Sequence, residues 1–208
     1  MTTDQPLDVP DEAPEVSGSP ARERVLETAF RLFYAHGIRG VGIDRIVAES
    51  GVAKATLYKY FPAKDDLVLA YLDKVDATWT AQLHDAASAG GPDPAAQLVG
   101  MFDALSSACR RDGYRGCAFI NAAAENEPGS PIHTRTLAHK DAVRAWVSDL
   151  ATQAGAADPP GLARALTLLL DGGLASGSLD GAHDAPAMAK ASAHALVQLA
   201  TRPTTDDN

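Results

Sequence analysis

The stretch from Ile43 to Lys64, IDRIVAESGVAKATLYKYFPAK, constrains the fold of this chain more than any other segment. Its apolar residues recur at helical spacing on both sides of Gly51, a residue type that readily adopts the positive φ of a tight turn. Leu57 and Phe61 lie four residues apart and are expected to face a core. The stretch therefore predicts two short helices joined by a turn, which is a helix-turn-helix.

The second of these helices carries basic, hydroxyl and aromatic side chains, and no acid, on its other faces. These residues are Lys54, Ala55, Thr56, Tyr58, Lys59 and Tyr60. Hydrogen-bond donors, flat rings and positive charge on one surface suit a polyanion such as nucleic acid. The alternative interpretation is a basic helix that is only solvated.

Charge is distributed unevenly along the 208 residues, whose net charge is -9. Residues 1–20 carry -5, residues 21–64 carry +4, and residues 65–208 carry -8. A small basic region on an acidic body predicts that only one end of the protein approaches phosphate. The first twenty residues combine acids with prolines and lack the basic and apolar segments of a signal peptide, so they are expected to be a disordered tail.

Helical periodicity continues through the rest of the chain, and no alternating strand pattern is found. Besides the two short helices, segments of helical pattern begin near residues 22, 63, 93, 117, 130, 159 and 184. The fold class is therefore all-α with about nine helices. We expect a three-helix head over residues 21–65, a larger helical domain over residues 66–202, and a disordered tail over residues 203–208.

The penultimate helix is apolar around more of its circumference than a single core face requires, and small residues on the last two helices would allow close helix crossing. Two such helices from each of two chains would form an intermolecular four-helix bundle. The residues expected at this interface are Leu166, Leu170, Gly173, Leu174, Gly177, Ala191 and Ala195. The alternative is that these helices pack wholly within one chain.

The segment from Arg22 to about Leu72 resembles the TetR family of bacterial transcriptional regulators. The resemblance rests on the pattern G-V-x-x-x-T-L-Y-x-Y-F-x-x-K-D-x-L, which begins at Gly51. It implies a homodimer that binds a palindromic operator through two helix-turn-helix heads. It also implies a helical C-terminal domain that forms the dimer and holds a small-molecule effector, which we expect to be largely apolar.

The resemblance also assigns roles to residues at matching positions. Base edges would be contacted by Lys54, Ala55, Thr56 and Lys59, and phosphates by Tyr58, Tyr60 and Lys64. Hydroxyl and ammonium groups suit phosphate contacts that fix register, whereas short side chains at the front of the helix can reach base edges. Gly42, Ile43 and Asp44 depart from the Thr-rich start that is common at the second helix, so Arg45 is the available phosphate ligand there.

The segment GCAFINAAAE is the best indication of an effector pocket. Cys117, Asn121 and Glu125 fall on one helical face, and an amide and a carboxylate among apolar residues are costly unless something bonds them. The alternative is that they bond neighbouring helices or cap the following loop. Other residues that could line an apolar cavity are Trp79, Met101, Phe102, Phe119, Trp146 and Leu170, although core packing explains each of them equally well.

Motif searches give no indication of catalysis. The chain lacks a GxSxG elbow, an HExxH metal motif and a phosphate-binding GxxxxGK[ST] loop, so no catalytic residue, metal or cofactor is predicted. His133 and His139 are expected to be surface or loop residues. The two cysteines, eight positions apart, are typical of a reduced cytoplasmic protein. No run of about 18 apolar residues occurs, so no membrane span is predicted.

These observations predict a repressor that binds operator DNA as a homodimer and is released by its effector. Two other classes of function stay open at this point. One is an architectural protein that binds DNA without effector control. The other is an enzyme that uses Cys117 or Glu125 in the C-terminal domain.

Overall fold

The computed structural model of the chain describes residues 19–179 and 184–202, which form ten α-helices and no strand. The helices are α1 (Pro20–His36), α2 (Ile43–Ser50), α3 (Lys54–Tyr60), α4 (Lys64–Ala89), α5 (Pro94–Gly100), α6 (Phe102–Cys109), α7 (Ala118–Ala124), α8 (Pro131–Gln153), α9 (Pro159–Leu179) and α10 (Ala185–Ala200). The all-α prediction is confirmed. The expected disordered tails lie outside the described residues, except for Ser19 and Pro20, which are the N-cap and the first residue of α1.

Local sequence signals account for several helix ends. The Asp93 carboxylate accepts from the amides of Ala95 and Ala96, at 3.2 and 3.3 Å. The Ser130 hydroxyl accepts from the amide of His133 at 3.2 Å. In both helices a proline follows the capping residue, at a position where its missing N–H would have no partner in any case.

The helix predicted to begin at Asp93 is interrupted once, at Met101, between α5 and α6. Met101 has φ -56° and ψ -23°, so the backbone stays in the right-handed helical region across the interruption. The two segments are one bent helix. Counted in this way, the described part of the chain contains the nine helices that the sequence predicts.

Two hydrophobic cores are joined by α4. The first core is formed by α1 to α3, the N-terminal half of α4 and part of α7, and includes Leu32, Ile46, Leu57 and Leu72. The second is formed by the C-terminal half of α4 with α5, α6 and α8 to α10. The first core continues along α4 beyond the boundary expected between residues 65 and 66, because Leu67 to Leu72 still pack in it.

The apolar residues of α9 that were expected between two chains are mostly buried within one. Leu166, Leu170 and Leu174 are 0%, 3% and 5% exposed, and they belong to the second core. A Cβ atom at Gly173 would collide with Leu105, and one at Gly177 would lie 2.5 Å from Cys109 Sγ. The two glycines therefore allow close approach of neighbouring side chains inside the protomer, which corrects their assignment to a dimer interface.

A different face of the last two helices remains exposed. Leu168, Leu179 and Met188 are 73%, 81% and 68% exposed, and Ala191 and Ala195 are exposed as well. This exposed apolar face is unusual for a surface that only meets water. None of the described helices combines the length and apolar character needed to cross a membrane.

Candidate nucleic-acid interface and ligand cavity

Packing and the Gly51 turn set the position of the helix-turn-helix. Gly51 has φ +66°, and its amide donates to the carbonyl of Val47 at 3.1 Å. Leu57 and Phe61 are 0% and 3% exposed, as predicted for core residues. Neither α2 nor α3 has a side-chain cap at its start, where Gly42 and Ala53 stand. Burial of apolar residues therefore holds α3 in place.

The outer face of α3 is accessible. Lys54, Ala55, Tyr58 and Lys59 are exposed, and Thr56 is half-buried. Lys54 Nζ lies 2.7 Å from an Asp44 carboxylate oxygen, and this hydrogen bond raises the pKa of Lys54. The pair is exposed, so it is weak and screened by salt, and a phosphate oxygen can replace the carboxylate.

Arg45 is engaged within the head. Its Nε atom donates to Glu49 at 2.9 Å, and Arg31 donates to the same carboxylate at 2.7 Å. The hydrogen bonds from Arg45 and Arg31 lower the pKa of Glu49. One Nη atom of Arg45 is also 3.0 Å from His36 Nε2. Because these partners are exposed, Arg45 is available to a phosphate only in competition with them.

Tyr60 and Lys64 are less accessible than the sequence predicts. The Tyr60 hydroxyl donates to Ser19 Oγ at 2.7 Å, just before the start of α1. Lys64 Nζ donates to the carbonyl of Ile38 at 2.6 Å, and burial lowers the pKa of this lysine. The main-chain carbonyl of Ile38 accounts for the position of Lys64 without a bound anion, and the phosphate contact of Lys64 stays a prediction.

A cavity of about 220 Å³ lies among α1, α4, α6 and α7. Five of its fifteen lining residues are aromatic. The aromatic residues are Phe30, Tyr34, Trp79, Tyr114 and Phe119. A concave and mainly apolar site of this kind is where proteins hold small molecules.

The predicted pocket residues divide into two groups. Trp79, Cys117 and Phe119 line the cavity. Met101 and Phe102 do not, because both are wholly buried in the second core at the bend between α5 and α6. Their assignment to the pocket is corrected, and core packing is sufficient to explain them.

Two further predicted pocket residues lie beside this cavity and not in it. Trp146 stacks on His84 with ring centroids 4.4 Å apart. Leu170 lines a smaller cavity of about 20 Å³, which shares Trp79 and Leu174 with the larger one.

Sequence reasoning missed most of the aromatic wall. Phe30 and Tyr34 lie four residues apart on α1, beside the face that carries its core residues Ala29 and Phe33. This second aromatic stripe was the available signal. Tyr114, in the loop between α6 and α7, offers no comparable pattern.

Asn121 and Glu125 line a second cavity of about 260 Å³, between the end of α1 and α7. Glu125 Oε1 accepts from the amide of Ile38 at 3.1 Å, and Oε2 accepts from the amide of Arg39 at 2.6 Å. Asn121 Nδ2 donates to the carbonyl of Arg115 at 2.9 Å. Neighbouring main chain bonds both polar groups, in agreement with the alternative interpretation and not with a role in the aromatic cavity.

Tyr34 connects the two cavities and lines both of them. Its hydroxyl donates to the carbonyl of Gly116 at 3.1 Å and accepts from the amide of Arg115 at 3.0 Å. Burial raises the pKa of this hydroxyl. The last turns of α1 are thereby attached to the loop that leads into α7.

A buried polar network packs against the Phe119 ring. The His139 ring stacks on Phe119 with centroids 3.8 Å apart, and His139 is 1% exposed. Its Nδ1 atom lies 2.6 Å from Asp76, whose other carboxylate oxygen accepts from Arg135 at 2.6 Å. Burial lowers the pKa of His139 more than Asp76 raises it, so a neutral imidazole donates to the carboxylate. The prediction of a surface position for His139 is wrong, whereas His133 lies in the first turn of α8 and is partly exposed.

Cys117 lacks the surroundings of a catalytic thiol. Among the described residues, its one polar contact is Lys140 Nζ at 3.8 Å, and Lys140 is paired with Asp171. A nucleophilic cysteine ordinarily has a hydrogen-bonded base that a third group orients. This arrangement gives no support to the enzyme interpretation.

Comparisons with known proteins agree on one family. The family model for bacterial regulatory proteins of the tetR family matches residues 25–71. The crystal structure of SCO4454, a TetR-family transcriptional regulator from Streptomyces coelicolor, is similar with a TM-score of 0.82 and 39% identity, covering 88% of this chain and 96% of that chain. The HTH-type transcriptional regulator YjdC of Escherichia coli is 27% identical over 155 residues, which are 73% of this chain and 80% of YjdC.

A more distant structure extends the agreement in fold. A TetR transcriptional regulator from Chloroflexus aurantiacus has a TM-score of 0.74 at 24% identity, covering 86% of this chain and 94% of that one. The similarity to SCO4454 includes the helical body as well as the head, since it covers most of both chains. With its helix-turn-helix, its all-helical body and these relatives, the chain belongs to the TetR family of DNA-binding transcriptional regulators, which are not enzymes.

Proposed function

We propose that this regulator represses transcription and that a small molecule in the aromatic cavity releases it from its operator. One observation carries the proposal: α1 and α7 line the cavity and also pack in the hydrophobic core that holds the helix-turn-helix. Tyr34 of α1 and Phe119 of α7 line the cavity. The turn that leads into α2 follows α1 directly, and Glu125, which follows α7, bonds the amides of that turn. A ligand that moves either helix therefore acts on the DNA-binding head.

The connection runs through α7 to the turn between α1 and α2. The N-terminal end of α7 lines the cavity with Ala118 and Phe119. Beyond its C-terminal end, Glu125 accepts from the amides of Ile38 and Arg39. Lys64, at the start of α4, bonds the carbonyl of Ile38. A shift of α7 would thus change the support of α2, and with it the orientation of α3.

DNA recognition is proposed to use the exposed face of α3. Lys54, Thr56 and Lys59 are the side chains best suited to reach base edges or phosphates from a helix in the major groove. Ala55 can contact a thymine methyl, and Tyr58 can donate to a phosphate. Arg45 and Tyr60 are secondary candidates, because each already has a partner in the head.

A homodimer is proposed to form through the exposed apolar face of α9 and α10. Leu168, Gly172 and Met188 line one groove between these helices, and Ala191 and Ala195 extend the face along α10. Two heads related by a two-fold axis suit a palindromic operator with half-sites about one helical turn apart, roughly 34 to 36 Å. This action on operator DNA also agrees with the cytoplasmic location expected from the sequence.

The proposal is tested by a thermal-shift screen of small molecules, followed by operator titration with each stabilising compound. A true effector lowers operator affinity, and by reciprocity it binds more weakly when operator is present. Trp79→Phe should change the affinity of the effector, whereas Trp146→Phe, outside the cavity, should not. Compounds that bind the cavity and leave operator affinity unchanged would contradict effector control.

A further inference from the structure

The size and walls of the aromatic cavity restrict the shape of its ligand. A protein cavity of about 150 Å³ holds a single benzene ring, and ordinary drug-sized sites begin at about 300 Å³. At about 220 Å³, this cavity suits one or two fused rings. Walls made of Phe30, Tyr34, Trp79, Tyr114 and Phe119 favour a flat ring system, since aromatic pairs gain from stacked and edge contacts.

One loop at the cavity is basic, although the C-terminal domain as a whole is acidic. The loop of residues 110–115 has three arginines and one aspartate, a net charge of +2, whereas residues 65–208 together carry -8. Arg111 and Asp112 from this loop line the cavity. Part of the cavity wall therefore comes from a locally basic segment.

Arg111 is the cation closest to the ligand space. Its Nη2 atom donates to Gln82 Oε1 at 2.6 Å, and Gln82, which also lines the cavity, is a neutral partner. No ion pair of Arg111 is found among the residues that the structure describes. Burial raises the pKa of the Tyr34 hydroxyl, and the Arg111 charge is close enough to oppose that rise.

Of the other polar groups at the cavity, the Gln82 amide can donate to a ligand, whereas the hydroxyls of Tyr34 and Tyr114 can only accept. The Tyr34 hydroxyl donates to Gly116 and the Tyr114 hydroxyl donates to Leu174, so both protons are used by main-chain carbonyls. The Gln82 oxygen already accepts from Arg111, which leaves its amide N–H groups free to donate. Asp112 is the one carboxylate among the residues that line the cavity, and it is exposed to solvent.

From this juxtaposition we propose that the effector is a flat aromatic molecule of one or two rings with a single carboxylate, its rings in the aromatic cavity and its carboxylate at Arg111. The inference rests on the proposed function only in using the cavity as the effector site. A guanidinium binds a carboxylate with charge-assisted and often paired hydrogen bonds, which gives both affinity and orientation. The negative charge of Asp112 repels the ligand carboxylate and so lowers the affinity of the ligand.

The test measures binding of 2-naphthoate, 2-naphthamide and 2-naphthylmethylammonium to the full chain by isothermal titration calorimetry without DNA. The three probes share a ring system and differ in charge. We expect 2-naphthoate to bind on the order of tenfold more tightly than 2-naphthamide, as for a charge-assisted hydrogen bond. Arg111→Gln should remove that advantage and Asp112→Asn should increase it. Arg110→Gln, in the same loop but not lining the cavity, should leave it unchanged.

Equal or tighter binding of the amide or the ammonium compound would overturn the proposal, and so would failure of all three probes to bind. Loss of the carboxylate preference in Arg110→Gln as well would show a diffuse charge effect and overturn the role of Arg111. Titration with operator DNA then tests effector control separately from the ligand class. If 2-naphthoate binds as expected but operator affinity does not change, the ligand class stands and effector control fails.

Discussion

Glu125 makes a direct side-chain link between the head and the helical body. Its two carboxylate oxygens accept from consecutive main-chain amides, those of Ile38 and Arg39. Gly37 comes just before them with φ +78°, and a Cβ atom there would lie 2.7 Å from Glu125 Oε1. A small residue in the left-handed region thus lets the carboxylate approach the turn.

Replacement of Glu125 by Gln should weaken this link. A glutamine oxygen can accept from one amide, but its NH₂ group faces the other amide and leaves it unpaired. The expected loss of stability is about 1 to 3 kcal/mol. Urea unfolding measures it, with Glu127→Gln as the control, since Glu127 is exposed on the loop after α7. Equal midpoints for the two variants would mean that the carboxylate does not hold the turn.

Lys59 and Lys64 should respond differently to removal, although both were expected at the DNA. Lys59 is exposed on α3, so Lys59→Ala should weaken binding to all sequences and reduce the salt slope by about one. Lys64 bonds Ile38 within the head, so Lys64→Ala should lower the thermal midpoint and leave the salt slope unchanged. DNA titrations over a series of salt concentrations show which of the two lysines contacts phosphate. A reduced slope for Lys64→Ala would support its phosphate role.

At the scale of helices, local patterns predicted the elements well. Asp93 and Ser130 before prolines marked two helix starts, and Gly51 marked the turn of the helix-turn-helix, because these signals act within a few residues. The sequence also predicted which face of α3 is exposed, since Leu57 and Phe61 were expected to face the core.

The remaining features depend on residues far apart in sequence, and for this reason the pattern did not reveal them. His139 forms a hydrogen bond with Asp76 on α4, and Glu125 accepts a hydrogen bond from the turn after α1. Small residues on α9 could serve close packing within a chain or between chains, and periodicity does not separate the two. Gly173 meets Leu105 of its own chain.

The packing of α8 on α4 should weaken in acid because of His139. In the unfolded chain a histidine has a pKa of about 6.5, and burial lowers the pKa of His139 in the fold. The unfolded state therefore takes up the proton first as pH falls. The stability from neutral His139 is complete above about pH 6.5 and declines below it. For Asp76, hydrogen bonds from Arg135 and His139 outweigh the opposing effect of burial, so its pKa is lowered and it stays charged in this range.

Thermal unfolding at pH 7.5 and 5.5 measures this effect. The midpoint should be lower at pH 5.5, and the difference should shrink in His139→Phe, which keeps a ring against Phe119 but does not titrate. His194→Gln is the control, since His194 is exposed on α10. If His139→Phe kept the full pH difference, the acid sensitivity would come from other groups.

At the scale of the whole molecule, the exposed apolar face of α9 and α10 should hold two chains together. Leu168→Arg places a charge on this face at a residue that is 73% exposed, so the fold of each protomer should survive. We expect sedimentation velocity to show a monomer. Leu137→Arg is the control, because Leu137 is also exposed but lies on α8. A dimer that persists in Leu168→Arg would mean that another surface joins the chains.

Competition binding to the DNA upstream of the regulator's own gene, against random duplex at two salt concentrations, tests the proposed regulation most directly. We expect the upstream DNA to bind much more tightly, with an affinity that falls as salt rises and with protection over a symmetric site. Equal affinity for both duplexes would contradict a sequence-specific regulator and favour an architectural DNA-binding protein.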